Sequence, residues 1–121
     1  MDALWQAWTT LRHWAVCAGL FALYDNPTTR DLLKPAAVWE IENGLKLSVI
    51  DIHRASVIRS QWYMRAAALF DTYDAVILPS AQTWPFVKTW VHPTDINGVA
   101  MDTYHRWMQV VIPAGLIGLP V

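Results

Sequence analysis

Residues 74 to 78, Asp-Ala-Val-Ile-Leu, are the run that most restricts the fold. Consecutive apolar and β-branched residues that stop at Pro79 read as a short strand buried on both faces, as in a parallel or mixed sheet. One strand leaves backbone donors and acceptors unpaired along both edges, so it needs partners. The closing stretch GLIGLPV is the one other segment that suits the purpose. The expectation is a mainly α chain, three or four helices with one or two short strands, that is incomplete as a sheet and amounts to a fragment of an α/β fold.

The helices are marked by periodicity and punctuation. Leu4, Trp8, Leu11, Ala15, Ala18 and Ala22 recur at spacings of three and four, with Gln6, Thr9, Arg12 and His13 elsewhere on the wheel. From Ala15 to Leu23 every residue is apolar or glycine, so the second half of this helix has no face suited to water and must be covered. Asp25, Asn26 and Pro27 stop it, because proline disfavours α geometry in the residue before. A short connecting helix begins near Pro35, whose fixed φ suits a first turn, and ends at Gly44. Ser48 opens the longest helix with SVID, close to a capping box.

The stripe of that helix is Ile52, Ala55, Trp62, Ala66, Leu69 and Phe70, with Arg59 in its middle. A guanidinium on an apolar face needs an acceptor. Arg59 is therefore a structural polar candidate, paired with a carboxylate or carbonyl, or else a substrate-binding cation. Residues 79 to 101 read as loop. DTYHRWMQVVI from Asp102 reads as a last helix with Tyr104, Trp107, Met108 and Val111 inward, and Gly115, Gly118 and Pro120 as turn chemistry.

Composition narrows the functions open to such a chain. In 121 residues, 55% of them hydrophobic, there is room for one globular region and no reason for disorder. Nine Lys and Arg against ten Asp and Glu provide no basic field for phosphates, so nucleic acid is not expected as a partner. The longest charge-free run, WMQVVIPAGLIGLPV, is shorter than the ~18 apolar residues of a membrane span and carries two prolines. No export signal opens the chain, and the lone Cys17 among apolar neighbours reads as a small buried thiol. A cytoplasmic, reducing setting without a membrane partner is the expectation.

The order of signals LSVIDIHRASVIRSQ, LFDTYDAVILPS, a proline and aromatic loop, DTYHRWM and GLPV resembles the C-terminal part of the amidase signature family of amide hydrolases. The resemblance treats 1–121 as a single region and is best over 28–121. Its sharpest piece is FDTYDAVILPS, an aromatic, a tyrosine, an aspartate, an apolar run and a proline before a hydroxyl residue. Ser80 stands where the family more often has threonine. GLPV is similar to the start of the family's penultimate core strand, which there continues further.

The resemblance implies amide hydrolysis by two serines and a lysine carried on a Gly- and Ser-rich segment upstream of the matched region. No such segment is present here: Ser48, Ser56, Ser60 and Ser80 are isolated, and Lys34, Lys46 and Lys88 have no serine pair beside them. No catalytic residue carries over, and no cofactor is implied. Without a base and oxyanion donors the chain is expected to be inactive alone. A small-molecule amide would be its ligand only in the complete family fold. The resemblance places Ser80, Thr83, Trp84 and Phe86 near a substrate channel; packing of Trp84 and Phe86 onto the core is the equal alternative.

Two other readings compete. Asp102 and His105, with His92 and Asp95 or Asp51 and His53, have spacings a metal could use, but no accompanying motif, and no metal is expected. A small helical interaction module is the stronger rival. Eight tryptophans, an apolar half-helix and an unpaired strand imply a large exposed apolar surface, hence a homodimer or other homo-oligomer, by swapping or by face-to-face packing.

Overall fold

Asn26 is where the first long helix gives way. Helix α1 (Asp2–Asp25) ends at Asp25, and Asn26 is extended, with φ −87° and ψ 116°. Its side chain then accepts from the Thr28 backbone N–H at 3.0 Å and caps the single turn α2 (Pro27–Arg30). Pro35 starts α3 (Pro35–Gly44), and α4 follows as Val49–Leu69. The start of α4 is the capping box expected at Ser48: its N–H donates to Asp51 Oδ2 at 2.9 Å, and Asp51 N–H donates to Ser48 Oγ at 3.2 Å. The structure, a computed structural model, describes residues 1–118. It is mainly α, and its strands among the described residues are one antiparallel pair of two residues each.

The described chain divides into two compact units, Met1–Trp62 and Tyr63–Val121, the division falling within α4. In the first, α1 packs against α3 at Gly44. A Cβ added there would lie 2.5 Å from Cys17 Cβ and 2.6 Å from the His13 carbonyl oxygen, so only glycine lets the two helices come this close. Trp5, Ala7, His13, Glu40, Ile41 and Ala55 are the buried residues of this unit.

The face that α1 buries differs from the one its aliphatic spacing suggests. Trp5, Ala7 and His13 are buried and Cys17, Leu20 and Tyr24 half-buried, while Ala15, Ala18 and Ala22 face solvent. In this orientation Arg12 and His13 meet a buried carboxylate on α3. Trp14, Phe21 and Leu23 are left exposed as a result. Arg59 is likewise exposed on α4, although it stands between Ala55 and Trp62 in the stripe.

In the second unit, residues 74–78 form no strand. They run as irregular chain with every residue exposed, Ile77 at 94%, because β-pairing needs a partner and the described residues supply none. The strands lie instead in the stretch read as loop: β1 (Asp95–Ile96) pairs with β2 (Val99–Ala100) in the register Asp95 to Ala100 and Ile96 to Val99. Asn97 and Gly98 both have positive φ, 52° and 78°, as a tight hairpin turn requires. Asp95 Oδ1 accepts from the Gly98 N–H at 3.1 Å.

Asp102 does not begin a helix. A 3-10 helix spans Arg106–Val111 and passes into α5 (Ile112–Ile117), which takes Pro113 in its first turn and stops at Gly118 in the left-handed conformation. Trp107, Met108 and Val111 are half-buried as expected, but Tyr104 is exposed. The expected strand at GLPV meets that left-handed Gly118, and its last three residues lie outside the described ones. Ala66, Met101, His105, Ile112, Pro113 and Leu116 are buried here. Among the described residues no helix is long and apolar enough to cross a membrane.

Candidate functional site

The loop after Pro79 is fixed by one glutamine and one aromatic ring. Gln82 Oε1 accepts the backbone N–H of Val110 at 3.0 Å, tying residue 82 to the 3-10 helix. Phe86 places its ring edge-on to Trp107, centroids 5.5 Å apart, and beside Trp90 at 6.4 Å. Such aromatic contacts hold the loop through both area and quadrupole. Of the four residues expected near a channel, Phe86 and Thr83 are therefore half-buried, and Phe86 packs. Ser80 is exposed, and Trp84 stands in solvent at 88% of its surface. Arg59 belongs to the other compact unit.

Around Gln82 the chain forms a cleft of about 340 Å³. The hairpin supplies an apolar side, Ile96, Val99 and Ala100 with Met101 following, and Asp102 together with Arg106 and Gln109 of the 3-10 helix supplies a polar side. Arg106 holds Asp102 in a two-pronged pair, Nε to Oδ1 at 2.8 Å and Nη2 to Oδ2 at 2.7 Å. The fork matches the carboxylate geometry and cancels its charge. That hydrogen bonding holds the Asp102 carboxyl below its ordinary range, against the opposing effect of partial burial. Arg106 Nη1 also reaches Gln109 Oε1 at 3.4 Å.

A second polar constellation lies between α1 and α3. Glu40 is 2% exposed, with Arg12 Nε donating to Oε1 at 2.6 Å and His13 Nδ1 to Oε2 at 2.5 Å. The Trp39 ring meets the edge of His13 at 4.9 Å, and the Arg12 guanidinium lies 5.4 Å from the Trp8 ring. Sequence reasoning misses this cluster, because Arg12 and His13 read as a polar face and Glu40 as one charge of a connector. The available signal was the i, i+4 pair Trp8 and Arg12 pointing one way with His13 beside it.

Neither constellation has the groups of an acyl-transfer site. Ser80 is exposed in the irregular run, and neither constellation contains a serine. Among the described residues no three His, Cys, Asp or Glu side chains gather as a metal site requires. Compared with protein-family models, with curated proteins and with solved structures, the chain matches none.

Proposed function

We propose that this chain is an amidase-like segment: residues 73–86 form a wall of an amide-binding channel, and the catalytic serines and lysine belong to a part of the fold that this sequence does not contain. The single observation that carries the reading is the run FDTYDAVILPS, whose apolar residues 75–78 are exposed and make no strand pairing in the structure. An apolar, β-branched run in that condition is suited to joining a sheet supplied from elsewhere. On this reading the chain alone hydrolyses no amide. The test has two parts. Purified chain is incubated with a simple aryl amide and a serine-directed fluorophosphonate, with no turnover and no labelled serine as the expected result. The coding sequence around the gene is then read for an in-register Gly- and Ser-rich segment bearing two serines and a lysine. Turnover by this chain, or flanking sequence without such a segment, would overturn the proposal.

A second reading, a self-associating helical module, is favoured by the exposed half of α1. No charged residue occurs from Trp14 to Tyr24, and Trp14, Phe21 and Leu23 are 48%, 41% and 44% exposed. Trp14 and Phe21 share one side of the helix and Leu23 lies opposite, and exposed apolar surface of this kind suits cover by another chain. Sedimentation at several concentrations tests it: a mass that doubles with concentration supports self-association, and a monomer throughout rejects it.

A further inference from the structure

The cleft beside Gln82 has a polarity that follows from which atoms are already used. Gln82 directs its oxygen to the Val110 N–H, and Gln109 directs its oxygen to Arg106. A carboxamide whose oxygen is engaged presents its NH2 at the other end. Both residues line the same cleft, and in each the NH2 is the end of the carboxamide that these contacts leave over. Arg106 adds no net charge, because Asp102 holds it by two short hydrogen bonds. The Arg106–Asp102 pair, closed on itself by two hydrogen bonds, leaves neither an anion nor a cation a full counter-charge in the cleft. The hairpin side is lined by Ile96, Val99, Ala100 and Met101, whose side chains are hydrocarbon or thioether. The volume is at the small end of the roughly 300–1,000 Å³ of ligand pockets.

We propose that this cleft binds a small uncharged molecule with a carbonyl-type acceptor oxygen at one end and an aliphatic body at the other. The inference does not rest on the amide-channel reading, since it uses only the hairpin, the 3-10 helix and Gln82. The carbonyl oxygen accepts from the Gln82 and Gln109 NH2 groups, and the aliphatic body lies against the hairpin.

Cyclohexanone, cyclohexanecarboxylate and cyclohexylammonium share one ring and differ in the polar end, so they serve as probes. The 15N-labelled full chain is titrated with each and followed by NMR. Cyclohexanone is expected to shift the Gln82 and Gln109 side-chain NH2 signals saturably and to bind about ten-fold tighter than either ion. Gln82→Glu keeps an oxygen for the Val110 N–H and removes the donors. It should weaken cyclohexanone about five- to ten-fold and strengthen cyclohexylammonium. Gln109→Glu should act in the same direction while keeping its contact to Arg106. That inversion of preference distinguishes lost donors from a damaged fold, which would weaken all three probes. Absence of saturable cyclohexanone binding, equal binding of the three probes, or an unchanged preference in Gln82→Glu would overturn the proposal.

Discussion

His13 and Glu40 meet at 2.5 Å, Nδ1 to Oε2, with the carboxylate 2% exposed between α1 and α3. Arg12 takes the other oxygen at 2.6 Å with 39% of its side chain in contact with water. Removal of the shared acceptor strands both partners, whereas removal of Arg12 leaves Glu40 still paired with His13. Glu40→Ala is therefore expected to cost about 3 kcal/mol, the low end for breaking a buried pair. Arg12→Ala is expected to cost about 1 kcal/mol, as for a solvent-screened pair. Urea unfolding followed by helical circular dichroism measures both, and equal losses would contradict the asymmetry.

The glycines of the first unit should respond in opposite directions to the same added methyl. Gly44→Ala pushes a Cβ to 2.6 Å from a backbone oxygen that cannot swing aside, which should cost about 1–3 kcal/mol. At Gly19, in the interior of α1, nothing lies within 4 Å, so Gly19→Ala should stabilise by about 0.5–1 kcal/mol. Thermal melting of the two variants beside the parent shows whether Tm moves down in one and up in the other.

Two carboxylates should make stability fall in acid. Asp102 is held below its ordinary pKa chiefly by the Arg106 side chain, and Asp51 by the Ser48 hydroxyl and then the Ser48 backbone N–H. A carboxylate with a depressed folded-state pKa stabilises the fold fully above its unfolded pKa, about 3.9 for Asp, and loses that contribution as pH falls through the folded value. The decline should therefore begin near pH 4 and continue below it. Carbon-detected NMR titration gives the site-specific check: Ser48→Ala should return Asp51 towards an ordinary value and leave Asp102 where it was.

Phe86 and Trp84, two residues apart, should differ sharply in what they contribute to folding. Phe86→Ala removes the contacts with Trp107 and Trp90 and should cost about 1–2 kcal/mol. Trp84 is 88% exposed, and Trp84→Ala should change stability by less than about 0.5 kcal/mol. The change in urea midpoint for each variant decides this. A large loss at Trp84 would mean that its ring is covered in solution.

The helix boundaries were legible in the sequence because local chemistry sets them. Pro27 ends α1 through its effect on Asn26, Pro35 and Gly44 bracket α3, and Ser48 with Asp51 begins α4. Which face α1 buries was not legible, since that choice depends on a carboxylate 27 residues away in sequence from His13. The run 74–78 has the composition of a strand, but strand formation depends on pairing, which composition does not encode. Asn97-Gly98 carried a strong hairpin signal that a loop reading of the Pro-, Trp- and Thr-rich 79–101 passes over. The cleft depends on a contact between Gln82 and Val110 across 28 residues, and no local pattern announces it.

Gly44 and Glu40 together fix where the two helices stop sliding. Apolar contact alone is non-directional and would tolerate translation of α3 along α1 by a turn, about 5.4 Å. A step that brought Glu40 to the place of Gly44 would set a side chain against the His13 carbonyl and part the Glu40 carboxylate from Arg12 and His13. One position satisfies both a shape and a charge, so the pair works as a detent between α1 and α3.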